Sequence, residues 1–160
     1  MRLNISLVRV LFIVSLFFSF LAQGIPLFPG AQIIVEITDP ERDGLEVGRE
    51  MDVKGTAVIP PGNYLWILIH RTKGFKRVWW PQNEAELDPV TKKWEVHVVF
   101  GMPRDIGYDF EIAAIVVNEK EHLKLQDYWE KAMQSADWNP ILMPPTVTAP
   151  IIRSVKKTKH

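Results

Sequence analysis

The chain has no cysteine among its 160 residues. Disulfide staples, thiolate metal sites and a lipid anchor attached through cysteine are therefore excluded. It also has no excess of charge: 19 Lys and Arg face 19 Asp and Glu. Nucleic-acid binding calls for a concentrated basic face, so no nucleic-acid partner is expected. Histidine is scarce. His70, His97, His122 and His160 are the four, and no two stand at a ligand-like spacing. Neither a metal nor a cofactor is expected. No G-x-S-x-G motif occurs, and Ser135 and Ser154 have no triad context, so nucleophilic catalysis has no support. There is no internal repeat and no low-complexity tract.

One long apolar run is present, at the start. Arg2 and Arg9 precede Val10–Ala22, and Ala22-Gln-Gly24 closes the run. A basic n-region, a short apolar stretch and a small-x-small site read as a secretory signal over 1–24, cleaved after Gly24. The run is short of the roughly 20 residues that span a bilayer. An uncleaved N-terminal anchor is the alternative, and after cleavage no membrane span is expected. The expected location is periplasmic or extracellular. An exported chain without cysteine fits a bacterium better than a eukaryotic secretory route. The signal segment carries two of the basic residues and no acid, so residues 25–160 have a formal charge of about −2. Their length suits one domain with a single core.

Residues 25–160 are dominated by short β-type runs punctuated by Pro, Gly and Asp. Gln32–Thr38, Met51–Ala57 and Lys92–Phe100 alternate apolar and polar, the mark of a strand with one wet face. In the last of these, Trp94, Val96, Val98 and Phe100 should point inward and His97 outward. Tyr64–His70 and Phe110–Val117 are apolar at almost every position, which predicts strands covered on both faces. A cover is at hand. Glu119–Ala136 reads as a helix with Leu125, Tyr128, Trp129, Ala132, Met133 and Ala136 in one stripe, packing across the central strands or capping one end. Val147–Lys157 reads as a final strand interrupted by Pro150 and therefore at an edge. About seven strands with regular turn signals predict an all-β, Ig-like antiparallel β-sandwich with one inserted α-helix before the last strand.

Gly55–Trp66, Trp79-Trp-Pro-Gln82, Trp94-Glu-Val96, Phe100–Gly107 and Phe110–Ala114 together resemble a group of bacterial Ig-like or fibronectin-like β-sandwich domains found in exported or multi-domain proteins. The resemblance covers most of residues 31–157. It implies the sandwich fold and transfers no catalytic residue.

The most unusual local feature is Trp79-Trp80-Pro-Gln82. Neighbours on a strand face opposite sides, so one indole should enter the core and the other a groove or solvent. An exposed indole suits stacking on sugar rings, with Gln82 adding hydrogen bonds. The plainer reading is that both indoles are buried. His70-Arg71 closes a central strand ahead of Lys73, Lys76 and Arg77, and could hold an anion, but an ordinary solvated strand end is the plainer reading. Asp105, Asp109 and Glu111 surround a Gly-Pro loop and could serve a glycan hydrolase or calcium, but Asp105 fits a turn cap better. The basic tail Lys156–His160 guards an edge strand against aggregation.

The reading is an exported, non-enzymatic binding module. Its partner is an envelope protein or a polysaccharide, and its ligand-binding residues are Trp79, Trp80, Gln82, His70 and Arg71. The alternative is a carbohydrate-binding module on Trp79 and Trp80; a glycan-active hydrolase is a weaker one.

Overall fold

The computed structural model of this chain describes residues 32–159. The expected signal at 1–24 lies outside the described residues. Alternating runs become one three-stranded antiparallel sheet, ordered β1 (Ile34–Asp39), β3 (Glu50–Val58) and β6 (Lys93–Val99). Its polar face, with Asp52, Lys54, Glu95 and His97, is exposed. Its other face buries Ile37, Val53, Ala57, Trp94, Val96 and Val98. The period of two inferred from the sequence is therefore the period of burial.

The second sheet is ordered β2 (Leu45–Val47), β9 (Ile151–Lys157), β7 (Asp109–Asn118), β4 (Asn63–Arg71), β5 (Val78–Glu84) and β8 (Ile141–Leu142). All pairings are antiparallel except β2 with β9. The first strand thus switches sheets at the turn between β1 and β2. The fold is mainly β and is an Ig-like β-sandwich, with β9, β7, β4 and β5 in the places of strands G, F, C and C′. Two strands exceed the expected seven. β2 and β8 have three and two residues, too few to show alternation.

β4 is buried at every position from Leu65 to His70, and β7 from Ile112 to Val117. Each therefore feeds two cores. Leu65, Ile67, Ile69, Phe110, Ile112, Ala114 and Val116 face the first sheet. Trp66, Leu68, Ala113, Ile115 and Val117 face the other way, with Trp79 and Leu125. The cover on that side is α1 (Glu119–Ser135), which follows β7 without a loop; Asn118 caps it by accepting from the Glu121 amide at 3.1 Å.

The helix lies where its stripe predicted, with a different register. Leu125 and Ala132 are buried and Trp129 is half-buried, but Met133 is 56% exposed and Ala136 is the left-handed cap. The buried face extends instead to Glu121 and His122, because the N-terminal half of the helix lies over β4 and β7. The last strand also differs from expectation. It begins after Pro150, which has no N–H to donate, and it lies between β7 and β2 rather than at a bare edge.

The cysteine-free core is closed by one exchange of volume. Gly55 pairs with Trp94 across β3 and β6. A Cβ at Gly55 would run into the Glu36 carbonyl oxygen and the Trp94 ring. The glycine is the space the indole occupies.

Candidate functional site

Two aromatic positions in β5 divide between the two faces of the sheet. Trp79 is 8% exposed and belongs to the core beneath α1. Trp80 pairs with Ile69 and stays half-exposed at the margin of the sheet. Its Nε1–H donates to the Trp138 carbonyl at 3.0 Å. Phe75, from the β4–β5 loop, meets it edge-on with ring centroids 5.0 Å apart. Trp138 itself is 41% exposed.

The connection that carries Trp138 is tied down. Tyr128 of α1 donates its hydroxyl to the Asn139 carbonyl at 2.8 Å, and Asn139 Nδ2 donates to Asp137 at 2.8 Å. Burial, and then the Asp137 charge, push the Tyr128 hydroxyl up to about 12. It therefore remains a donor throughout the physiological range. Two residues later, Ile141 and Leu142 pair with Trp79 and Val78 as β8. Phe75 and Trp80 thus form one margin of partly exposed rings, pinned to the Trp138 backbone.

The other residues expected at the site go elsewhere. His70 is buried, donates from Nδ1 to the Val78 carbonyl at 2.7 Å, and lies 5.0 Å from the Trp79 ring. It is a satisfied core histidine. Arg71 donates from Nη1 to Asp105 Oδ1 at 2.6 Å and from Nε to the Lys73 carbonyl at 3.0 Å. Its guanidinium also lies 4.3 Å from the Phe75 centroid and 4.9 Å from that of Tyr108. Arg71 therefore props the ring that supports Trp80.

Gln82 is the extra residue of a bulge in the β4–β5 register. Its Oε1 accepts from the Val99 amide at 2.8 Å, its Nε2 donates to the Trp80 carbonyl at 3.2 Å, and its own carbonyl accepts from Trp129 Nε1 at 2.8 Å. It ties β5 to β6 and to the helix, leaving its side-chain oxygen occupied. Of the five expected residues, Trp80 alone presents itself to solvent as a ring, and its companions are the Phe75 ring and the Trp138 carbonyl. Phe75 is the lone aromatic of a basic loop and Trp138 the first aromatic beyond the helix, which are weak signals in sequence.

No family model matches the chain, and no curated protein matches it. Among solved structures, murine CRIg is similar with a TM-score of 0.31 and 5% identity, covering 81% of this chain and 99% of that one. A likeness at that level carries no argument about function, and the sandwich assignment stands on the strand order above.

The acidic residues of the β6–β7 region do not face one another across a cleft. Asp105 is buried; its Oδ1 holds Arg71 and its Oδ2 accepts from the Met102 amide at 2.8 Å, as a turn cap does. Asp109 and Glu111 alternate with inward-facing Phe110 along β7 and so lie on the outer face of the sheet. Among the described residues no three His, Asp or Glu side chains are grouped to hold a metal ion, and no helix is long and apolar enough to cross a membrane.

A second polar cluster, unforeseen in the sequence, lies under the first turn of α1. His122 is buried and stacks on Tyr64 at 3.6 Å. Its Nδ1 accepts from Trp66 Nε1 at 3.1 Å. An indole N–H only donates, so Nδ1 carries no proton while that bond exists. The Glu84 carboxylate is 3.8 Å from the same nitrogen. Burial, reinforced by Glu86, raises Glu84 above the ordinary carboxylate range. Tyr64 and Glu84 border an open groove of about 510 Å³ with Ile59, Pro60, Leu87 and Lys92.

Proposed function

We propose that this chain is an exported, non-enzymatic binding module that docks carbohydrate on the Phe75–Trp80 margin. The observation that carries the reading is the fixing of Trp80. Its ring is half-exposed, pinned through Nε1 to the Trp138 carbonyl and braced by Phe75. A sugar ring stacks on a flat apolar face, and a face already immobilised loses little entropy when it is covered. Export follows from the reading of residues 1–24 as a signal, which places the margin where envelope or extracellular glycans are found.

The test is retention of the purified protein by a panel of insoluble and soluble polysaccharides, read by pull-down and Trp fluorescence. Retention by at least one glycan, lost in Trp80→Ala and kept in Trp79→Phe, supports the reading. Retention that survives Trp80→Ala overturns the site. Retention by none, with crosslinking in intact cells to an envelope protein, replaces the glycan by a protein partner.

A further inference from the structure

The chain between β4 and β5 is unusually one-sided in charge. Arg71-Thr-Lys-Gly-Phe-Lys-Arg77 holds four cations and no acid. Arg71 is neutralised by Asp105. Lys73, Lys76 and Arg77 are all exposed, and none forms an ion pair among the described residues. The loop does not swing free. Phe75 sits in its middle, packed between the Arg71 guanidinium and the Trp80 ring. The loop that carries the free cations is thereby anchored to the Trp80 ring.

Arg77 adds an independent observation. Its φ is 64°, in the left-handed region, at the last position before β5. A side chain with a Cβ is strained there, and glycine or asparagine would sit more easily. Lys92 and Ala136 adopt the same conformation at a turn and at the helix end, so at Arg77 it fixes how the tight turn enters β5 and sets the direction of its side chain. Here the strained position carries a guanidinium, a donor fork matched to carboxylates and sulfates.

We infer that the margin takes an acidic polysaccharide, with a sugar ring on Trp80 and its carboxylate or sulfate on Lys76 and Arg77 of the loop that Phe75 packs against it. This rests on the carbohydrate reading of the same margin. A membrane surface fits less well. The rings are half-buried and braced, offering a face to stack on and little to insert, and interfacial anchoring needs a projecting apolar surface. A nucleic-acid strand fits less well too, because three cations on one loop do not make a track and the whole chain carries no net charge.

The test uses matched polymers: polygalacturonate against its fully methyl-esterified form, and dextran sulfate against dextran. Affinity electrophoresis and Trp fluorescence report binding. The expected result is at least one acidic polymer bound about tenfold more tightly than its neutral partner, with the difference falling as salt rises. Arg77→Gly should remove most of that preference and leave the melting temperature unchanged or higher, so the loss cannot be unfolding. Lys76→Gln should act in the same direction.

Equal binding of acidic and neutral partners, insensitive to Arg77→Gly, overturns the charge assignment and keeps the carbohydrate reading. Failure of all four polymers overturns the proposal. Binding instead to vesicles of equal phosphatidylglycerol and phosphatidylcholine, or to an oligothymidylate, overturns both the proposal and the reading beneath it.

Discussion

Replacing Asp105 by Asn should destabilise the sandwich far more than a surface charge would. The Asp105 side chain is 6% exposed and that of Arg71 19%, and they meet at 2.6 Å. The other carboxylate oxygen caps the turn through the Met102 amide. A second cation lies at the same end: Lys157 is fully buried, with Nζ donating to the carbonyls of Phe100 and Met102 at 2.7 and 2.6 Å. Burial lowers the Lys157 ammonium below its usual range, and Asp105 acts against that shift. An Asn side chain keeps the size and one acceptor but removes the only charge that opposes both cations there among the described residues. Breaking a buried pair by removing one partner costs about 3–5 kcal/mol. The lower end applies here, because Arg71 keeps some solvent and its contacts with Phe75 and Tyr108. A loss of about 3 kcal/mol lowers the melting temperature of a domain this size by about 10 °C. Urea and thermal unfolding at neutral pH measure it directly. A drop of less than about 3 °C would mean that the pair behaves as an exposed salt bridge worth under about 1 kcal/mol, and the argument from burial would fail. Because Arg71 props Phe75 and Phe75 props Trp80, the same variant should also weaken ligand binding at the margin.

Other perturbations separate packing from electrostatics. Gly55→Ala forces a methyl into the Glu36 carbonyl and the Trp94 ring; overpacking of that kind costs about 1–3 kcal/mol, and unchanged unfolding in urea would refute the volume exchange. Glu84→Gln should raise the melting temperature at pH 7. Its folded-state carboxyl is raised, so ionisation opposes folding above that value and the opposition fades as pH falls through it. The gain should therefore shrink toward pH 4, and a pH-independent effect would sink the assignment. His97 donates from Nδ1 to Asp52 Oδ1 at 2.9 Å, its Nε2 lies 3.6 Å from Glu50, and its folded-state value is raised, chiefly by the Asp52 hydrogen bond. Its NMR titration should be centred above the ordinary imidazole value, and Asp52→Asn should bring it down. The associated stabilisation is full below the unfolded value, about 6.5, and is lost as pH rises through the raised one. An unshifted midpoint in the parent chain would refute the pairing.

The strands were largely legible because burial on a pleated sheet has a period of two. Trp94, Val96, Val98 and Phe100 point inward as their spacing demands, and His97 points out. The two unbroken apolar runs, Leu65–Ile69 and Ile112–Val117, demanded a third layer, and α1 supplies it. The opposition of Trp79 and Trp80 followed from the same period. Which of the two would meet the helix did not, since that depends on the sheet face to which the chain returns after β7. The helix stripe was misjudged at its ends because Met133 and Ala136 fit the period but extend past the sheet, whereas His122 is polar and yet buried by stacking on Tyr64.

By itself the sequence determined a cysteine-free, mainly β sandwich with a helical cover, since those features are written in local periodicity, turn residues and composition. Only the tertiary structure decided what each polar side chain does. His70 meets Val78, Arg71 meets Asp105 thirty-four positions away, and Trp80 meets Trp138 fifty-eight positions away. Gln82 is structural because a one-residue bulge turns it toward Val99 and Trp129. Hydrogen bonds demand angstrom-level placement of donor and acceptor, which register, bulges and the path of the helix set over long separations, while hydrophobic burial demands only the correct face.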